Sequence, residues 1–254
     1  MYSSFVNRKG NGEMYTVEEV MTFVWANQGT TMIMAAICYG LGFLGYITHL
    51  WMQFKNKEGL FPFWNHCLYI GVDFAFAVFA FRQWLEIGWF FWIALAIGNM
   101  VFILVELWSL KNCVDNERQE IFGRYLGGAE VSKAYAWKRS LLMYLAGIII
   151  VQAVRIVIGD PMCMFIFLLT NSVGAVCVPL ALNRADHYSP GMKFLSIANL
   201  AGIIYSYMPA GIGYYSTMAS ALNTPWATAA GVVLVLFALW GVYLAFFKVP
   251  RKAE

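Results

Sequence analysis

The chain has 254 residues, of which 61% are hydrophobic, 17% aromatic and 12% charged. Soluble domains carry about 45–50% apolar and about 25% charged residues, and the mean hydropathy here is +0.63. This composition excludes a soluble enzyme, a disordered chain and a nucleic-acid-binding protein, because the charges are few and form no basic face. The sequence therefore predicts an all-α membrane protein that works within the lipid bilayer and binds no nucleic acid.

Seven apolar stretches are long enough to cross a hydrocarbon core of about 30 Å, which takes about 20 helical residues. In chain order they cover residues 32–53, 61–81, 89–110, 140–158, 162–182, 192–209 and 226–247. They predict seven transmembrane helices in a domain that covers residues 32–248. The charged stretch 111–139 is too polar to enter lipid, and we expect it to lie along the membrane surface.

The two ends of the chain are predicted to lie outside this domain. Residues 1–31 form an N-terminal tail with a short interfacial helix around the apolar patch 20–25, and they lack the basic and apolar regions of a cleavable signal. Residues 249–254 form a C-terminal tail. The five cysteines are odd in number and form no CxxC pair, so we interpret them as small buried apolar residues. They are Cys38, Cys67, Cys113, Cys163 and Cys177.

Lys and Arg residues are distributed very unevenly between the two sides of the seven predicted helices. The N-terminal tail and the even-numbered loops carry three of them, Arg8, Lys9 and Arg82. The odd-numbered loops and the C-terminal tail carry Lys55, Lys57, Lys111, Arg118, Arg124, Lys133, Lys138, Arg139, Arg184, Lys193, Lys248, Arg251 and Lys252. By the positive-inside rule the N-terminus is predicted to be outside or lumenal and the C-terminus cytoplasmic.

Two spacings suggest an internal repeat of three helices, one linking helix and three helices. Trp89 precedes Lys111 by the same interval that separates Trp226 from Lys248, and Phe63 precedes Gly71 as Phe194 precedes Gly202. Duplication would produce these matches. Trp and Lys are also ordinary anchors at membrane interfaces, so chance explains them equally well.

Few ionisable groups lie inside the predicted spans, and by default such groups mark function. They are His49, His66, Asp73, Glu106 and Arg155. A helix rises about 1.5 Å per residue, which places Asp73 about 18 Å from the cytoplasmic end of its span, near the midplane. His66 and Glu106 lie about 6–8 Å inside the same mouth. Arg155 is expected to reach outward to the lumenal surface.

Helical spacing places the polar residues of two neighbouring spans on two faces. One face carries His66, Tyr69 and Asp73, and the other carries Trp92, Asn99 and Glu106. If the faces meet, Asp73 pairs with Asn99 and His66 with Glu106, which forms a polar seam from the cytoplasmic mouth to mid-membrane. A carboxyl group at the depth of Asp73, with no basic residue nearby on its helix, is expected to be neutral and protonated.

Several of these residues also have a purely structural interpretation. His66 and Glu106 can pair as structural glue, and Asn99, Asn171 and Asn199 can hydrogen-bond between helices. The GxGxxG pattern of residues 40–45 lies inside an apolar span and indicates close helix packing, not a dinucleotide site. His49, His66 and Glu106 come from three helices and form no metal-binding motif, so no metal or cofactor is predicted.

A protonated carboxyl group in an apolar site is suited to protonating an alkene or an epoxide. Aromatic faces stabilise the resulting cation without quenching it. The spans supply such rings close to the polar positions, among them Phe76, Trp92, Tyr205 and Tyr207. Phe is equally common on lipid-facing helices, and Trp and Tyr in interfacial belts.

Several segments in order along the chain resemble the small integral-membrane terpene cyclases of fungal meroterpenoid and indole-diterpene pathways. The similar segments are 42–74, 158–161, 168–184, 205–209 and 224–247. In the first, YIGVD at 69–73 stands where that family has N-x-x-W-E, so that Asp73 matches the family's catalytic Glu. YSYMP at 205–209 and WGVY at 240–243 resemble the family's later aromatic segments. The resemblance implies a seven-helix cyclase acting on a lipophilic isoprenoid substrate.

The chain departs from the family pattern at three places. Tyr69 replaces Asn, Val72 replaces Trp, and no acid stands near Phe237 or Ala238, where the family has a second essential Asp. Either Glu106 takes that second role, or the chemistry differs from epoxide-initiated cyclisation. We expect Asp73 to be the general acid, oriented by Asn99 and Tyr69.

The remaining expected roles follow from the same interpretation. His66 or Glu106 would be the terminating base or part of a proton path from the cytoplasm. The residues expected to bind the substrate are Tyr69, His66, Asn99, Trp92, Phe76, Asn171, Asn199, Tyr205 and Tyr207.

Two other functions are compatible with the sequence. A small-solute transporter of the sugar or vitamin type would explain the matching halves and the polar seam, but its helix breaks should correspond between halves. Pro62, Pro179 and Pro209 do not correspond in this way. An assembly subunit would need a protein-facing surface, for which 111–139 is the candidate. For the enzyme, the expected membrane is the endoplasmic reticulum of a eukaryote or the inner membrane of a bacterium.

Overall fold

The computed structural model describes residues 14–56, 61–185 and 187–249, and every named element in these ranges is helical. The α-helices are α1 Val17–Ala26, α2 Gln28–Asn56, α3 Phe63–Ile87, α4 Phe90–Asn112, α5 Arg118–Phe122, α6 Lys133–Val157, α7 Met164–Arg184, α8 Met192–Tyr207, α9 Tyr214–Met218 and α10 Pro225–Tyr243. Short π-helical turns cover Cys113–Glu117 and Leu244–Lys248, and 3₁₀ turns cover Gly123–Leu126 and Ser220–Leu222.

Six of the described helices are long and apolar enough to cross a membrane. They are Gln28–Lys55, Phe63–Ile87, Phe90–Leu126, Lys133–Val157, Met164–Arg184 and Pro225–Lys248. Their outer faces carry large exposed apolar side chains such as Val157, which is 83% exposed, and Trp226, which is 85% exposed. Such exposure is stable against lipid and is uncommon in water. The protein is therefore an all-α, multi-pass membrane protein.

Each of these six helices overlaps one of the predicted apolar stretches. The predicted stretch 192–209 corresponds to α8, which has 16 residues and is shorter than the other six. A helix of this length extends about 24 Å. Arg8, Lys9, Lys57, Arg251 and Lys252 lie outside the described residues, as do parts of both predicted tails.

The charged stretch 111–139 is more regular than its composition suggested. The helix that begins at Phe90 continues through the π-helical turn and α5 to Leu126, and α6 begins at Lys133. Asp115 accepts hydrogen bonds from Lys111 at 2.6 Å and from Lys133 at 2.9 Å, which joins the two sides of the turn. Its apolar side chains Val114, Phe122 and Val131 are buried in a cluster with the ends of α3 and α4.

The chain divides into two compact units. Unit I comprises the described residues of Met1–Gly45, Ala153–Tyr188 and Met192–Glu254, and unit II comprises those of Tyr46–Gln152 and Ser189–Gly191. The first part of α2 therefore belongs to unit I and its C-terminal part to unit II. Most of α6 belongs to unit II.

The helices of unit II pack very closely against one another. α3 and α4 pack against each other along much of their length. A Cβ atom on Gly71 of α3 would lie 2.7 Å from the carbonyl oxygen of Gly147 in α6, and one on Gly147 would collide with the carbonyl of Cys67. Glycine at these two positions lets the backbones of α3 and α6 touch, as in other membrane helix pairs.

In unit I, helices α7, α8 and α10 pack against one another pairwise. A Cβ atom on Gly231 of α10 would lie 2.5 Å from the Tyr207 side chain of α8. Gly241, also on α10, faces Pro179, which is buried inside α7. Small residues thus again set the helix spacing.

The start of the described chain is anchored to unit I by a buried pair. The Tyr15 hydroxyl donates a hydrogen bond to Asp160 and accepts one from the backbone N–H groups of Met162 and Met164, each at 3.2 Å. Burial, followed by the nearby Asp160 carboxyl, raises the pKa of Tyr15, so the phenol keeps the proton that it donates. α1 follows directly, with Thr16 capping its N-terminus through Glu19 N.

All five cysteines are free thiols, and four of them are buried.

Arg155 near the end of α6 donates a hydrogen bond to the carbonyl oxygen of Pro161 at 3.0 Å. This contact lies in the connection between α6 and α7, consistent with a structural role for Arg155.

Candidate functional site

Two contacts determine how α3 and α4 align. Near the start of α3, His66 Nδ1 lies 2.9 Å from Glu106 Oε2. Near its end, the Phe79 and Trp92 rings meet edge to face with centroids 5.7 Å apart. The two helices are therefore antiparallel, and the predicted pairing of His66 with Glu106 is present in the structure.

This alignment places Asp73 and Asn99 at the same level of the helix pair. Asp73 follows His66 by seven residues, and Asn99 precedes Glu106 by seven. Seven helical residues rise about 10 Å. The Asp73 level thus lies about 10 Å along the pair from the His66–Glu106 contact.

Asp73 is buried, at 9% exposure, in a helix made mostly of apolar residues. Within the described residues its carboxyl group forms no hydrogen bond and no ion pair. Tyr69 and Phe76 lie four residues before and three after it, on the same helical face. A carboxyl group without a partner in such surroundings is costly to ionise, so its neutral acid form is the one that these surroundings favour.

Asn99 is also buried, at 2% exposure, and lies at the level of Asp73, but the described residues show no hydrogen bond between the two side chains. Its amide nitrogen donates to the carbonyl oxygen of Leu95 at 2.8 Å, one turn earlier in the same helix. Asn side chains often bond locally in this way. Its Oδ1 atom has no partner within the described residues. Asn99 therefore presents an acceptor at the level of Asp73.

A series of aromatic rings continues from the Asp73 level toward the end of α3. Phe76 stacks on Phe79 with centroids 6.0 Å apart, Phe79 meets Trp92, and Trp92 meets Phe91 at 5.1 Å. Phe76, Phe91 and Trp92 are each less than a tenth exposed. The predicted residues Phe76 and Trp92 therefore belong to one buried aromatic group in unit II.

Glu106 is completely buried and has two side-chain partners. It accepts a hydrogen bond from the Tyr46 hydroxyl at one oxygen and contacts His66 Nδ1 at the other. The Tyr144 hydroxyl donates to the backbone carbonyl of Glu106 at 3.1 Å. The second buried carboxyl group of unit II is thus paired and held in place, unlike Asp73.

Tyr46 is the member of this group that the sequence analysis missed. Tyr46, His49 and Gln53 are spaced three and four residues apart on α2, so they share one helical face. Gln53 Oε1 accepts a hydrogen bond from Ser109 of α4 at 3.1 Å. This polar spacing near the end of an apolar helix is the signal that could have identified Tyr46.

The other predicted substrate-binding residues lie in unit I. Asn171 donates a hydrogen bond to Ser206 at 2.7 Å, and the Tyr207 hydroxyl donates to the Leu168 carbonyl at 3.0 Å while also contacting Ser172. Tyr205 and Asn199 are half-buried. The structure thus sorts the predicted site residues into a group with carboxyl groups in unit II and a neutral group in unit I.

In unit II the arrangement offers an unpaired carboxyl group and a paired one about 10 Å apart along one helix pair, with aromatic rings beside the first. Such a site can donate a proton in an apolar environment and receive one at a separate position. Among the described residues, His, Cys, Asp and Glu side chains do not gather in groups of three or more that could hold a metal ion.

Comparison of the chain with protein-family models, with curated proteins and with solved structures gives no match.

Proposed function

We propose that this chain is a membrane-embedded terpene cyclase that starts cyclisation of a lipophilic prenylated substrate by protonating an epoxide or an alkene. The observation that carries the proposal is the buried Asp73 carboxyl group, which has no partner within the described residues and lies on an aromatic face of α3. An unpaired carboxyl group in a membrane helix is expensive to keep and marks function by default. The resemblance of residues 69–73 to the family motif supports the same residue.

In the proposed reaction the Asp73 acid transfers its proton to the epoxide oxygen, or to one carbon of an alkene. The C–O bond or the π bond breaks, and the cation that forms is attacked by the next double bond of the chain. Phe76, Phe79 and Trp92 stabilise the positive charge through their faces. Loss of a proton from the final cation to a base makes the net change in the substrate an isomerisation, and return of a proton to the Asp73 carboxylate restores the acid.

Glu106 is better suited to accept the proton that the final cation loses than to donate a second proton to the substrate. Its carboxyl group accepts a hydrogen bond from Tyr46 and contacts His66. The hydrogen bond from Tyr46 favours the ionised form of Glu106 against its burial, and in that form Glu106 can receive a proton directly or through the imidazole. We assign His66 and Glu106 to the terminating base or to a proton path, and Asn99 and Tyr69 to orienting Asp73.

The proposal includes a seven-span topology with α8 as the sixth span. The uneven distribution of Lys and Arg residues supports an N-terminus outside or in the lumen and a cytoplasmic C-terminus. His66 and Glu106 then lie near the cytoplasmic mouth. The membrane is the endoplasmic reticulum in a eukaryote or the inner membrane in a bacterium. The proposed substrate is a lipophilic isoprenoid, and the proposed reaction uses no metal or other cofactor.

The test is to incubate membranes that contain the protein with a panel of farnesylated epoxides and analyse the products by mass spectrometry. We expect a new cyclic isomer from the wild type and at least about 100-fold less from Asp73→Asn, because a general acid contributes roughly 10²–10⁴-fold. Glu86→Gln is the matched control, since Glu86 is an exposed acid at the far end of the same helix. It should leave product formation unchanged.

Two results would contradict the proposal. An Asp73→Asn protein that forms product at the wild-type rate would remove Asp73 from the acid role. Wild-type membranes that form no cyclic product from any member of the panel would count against a cyclase. Accumulation of a radiolabelled sugar or vitamin by liposomes that contain the purified protein would instead support the transporter.

A further inference from the structure

Unit II contains a group of buried polar atoms for which the described part of the chain shows no hydrogen-bond partner, beside the His66–Glu106 contact. Both ring nitrogens of His49, the Nε2 atom of His66 and the amide nitrogen of Gln53 have no hydrogen-bond partner within the described residues. All three side chains have 0% exposure. About nine in ten buried polar atoms in proteins are hydrogen-bonded. Four unpaired atoms on three neighbouring side chains therefore point to a ligand that pairs with them.

The three side chains are close enough to serve one ligand. The His49 and His66 ring centroids are 5.7 Å apart. Gln53 follows His49 by one turn on the same face of α2, and its oxygen is already bonded to Ser109. The Phe61 ring packs against the group, with its centroid 4.5 Å from that of His49 and 6.4 Å from that of His66. The group thus combines hydrogen-bonding atoms with an aromatic wall.

The neutral side chains of this group favour a neutral ligand. Among the described residues no Lys or Arg side chain bonds to it, and the Glu106 carboxyl group is already paired with Tyr46 and His66. A neutral imidazole offers one donor and one acceptor, and the Gln53 amide nitrogen offers donors only. A hydroxyl group donates one hydrogen bond and accepts two, so it can pair with one atom of each side chain: it donates to one imidazole nitrogen and accepts from the other imidazole and from the Gln53 amide. An anionic head group would lack a counter-charge.

We propose that His49, His66 and Gln53 bind the hydroxyl group of a lipophilic alcohol, whose apolar part lies against Phe61. This site is about 10 Å along α3 from the level of Asp73, so it is distinct from the proton donor. Binding does not depend on cyclisation. If the proposed function holds, the hydroxyl group belongs to the substrate. Water is the other source of a hydroxyl group at this place.

The test uses the purified full chain in lipid nanodiscs with farnesol and farnesyl methyl ether as probes. The ether keeps the chain and the oxygen but has no proton to donate. We expect the wild type to bind farnesol at least about tenfold more tightly, the effect of one buried hydrogen bond. Equal affinities for the two probes would show that the group binds water only and would overturn the proposal.

Two variants test whether His49 and Gln53 cause the preference for farnesol over its methyl ether. His49→Phe keeps a ring but removes both nitrogens, and it should lower the farnesol affinity about tenfold while that of the ether stays the same. Gln53→Met should act in the same direction. Ser140→Ala is the matched control, because Ser140 Oγ is another buried, unpaired atom of unit II. A preference for farnesol that survives both His49→Phe and Gln53→Met in folded protein would overturn the proposal.

The Asp73→Asn protein separates this site from the proposed function. It should keep the full preference for farnesol, although it forms no cyclic product. If the wild type prefers farnesol but cyclises no member of the epoxide panel, the hydroxyl site stands and the cyclase does not. If cyclisation is observed and farnesol binds no better than its ether, the hydroxyl site is wrong.

Discussion

The two units bury polar side chains in different ways. In unit I the hydrogen bonds between side chains of α7 and α8 are neutral, as in the bond from Asn171 to Ser206. The buried carboxyl group of unit I, Asp160, lies outside the spans and is bonded by Tyr15 and the backbone N–H of Ile166. Unit II instead buries two carboxyl groups, Asp73 and Glu106, inside its spans.

This difference indicates where the chemistry is located. Neutral hydrogen bonds between membrane helices contribute only about 0.6 kcal/mol on average, and they serve mainly as structural contacts. Burying an ionisable group inside the membrane costs much more free energy, so such groups are found mainly at functional sites. Substitutions in the neutral pairs of unit I should therefore have small effects, whereas Asp73 and Glu106, two buried carboxyl groups of unit II, should each respond strongly and in its own direction.

The largest effect is expected from Glu106→Ala. It removes the carboxyl group that the Tyr46 hydroxyl and His66 Nδ1 contact, and leaves these two groups only their long contact of 3.5 Å with each other. Breaking a buried pair by removing one member costs about 3–5 kcal/mol of unfolding free energy. The measurement is the unfolding free energy in mixed micelles. Glu106→Gln, which keeps one oxygen acceptor, is the control and should lose clearly less; equal losses would show that packing alone matters at this position.

The next effect tests the close packing of unit II. A methyl group on Gly147 would collide with the backbone carbonyl of Cys67, which no rotamer change can relieve. Overpacking of this kind costs about 1–3 kcal/mol, so Gly147→Ala should lower the melting temperature in detergent. Gly202→Ala in unit I is the matched control, because nothing lies within 4 Å of its added atom. If the two variants have the same melting temperature, the contact between α3 and α6 is looser than described.

Asp73→Leu should change stability in the opposite direction from Glu106→Ala. It replaces an unpaired buried carboxyl group by an apolar side chain, so the unfolding free energy should rise by about 1–2 kcal/mol. The same variant should form no cyclic product. A gain in stability with loss of activity is the expected property of a residue kept for function. Destabilisation by Asp73→Leu would instead show that the carboxyl group has a structural partner.

The sequence was sufficient to predict the helical class, the approximate positions of the spans and one contact of the site. Span positions follow from runs of apolar residues, and the His66–Glu106 contact follows from spacing within two antiparallel neighbours. Helix ends were less predictable. α6 begins at Lys133, seven residues before the predicted start of its span, because residues such as Ala136 are buried in the apolar cluster of unit II.

Details of hydrogen bonding could not be predicted in the same way. Asn99 bonds to Leu95 within its own helix, since a local carbonyl competes with any partner across the interface. Tyr46 reaches Glu106 from α2, and that depends on the rotation of α2, which apolar composition does not fix. The separation of Asn171 and Tyr207 from Asp73 into another unit depends on packing between distant segments of the chain.

The smallest predicted effect comes from unit I and completes the contrast. A double-mutant cycle with Asn171→Ala and Ser206→Ala should give a coupling of about 0.6 kcal/mol, the average for a hydrogen bond between membrane helices. The same cycle with Tyr46→Phe and Glu106→Gln should give a clearly larger value, because its acceptor is a fully buried carboxyl group. Unfolding free energies of the four proteins in each cycle supply both values. Equal couplings would mean that the carboxyl groups of unit II are held no more firmly than neutral pairs, and the assignment of chemistry to unit II would then depend on Asp73 alone.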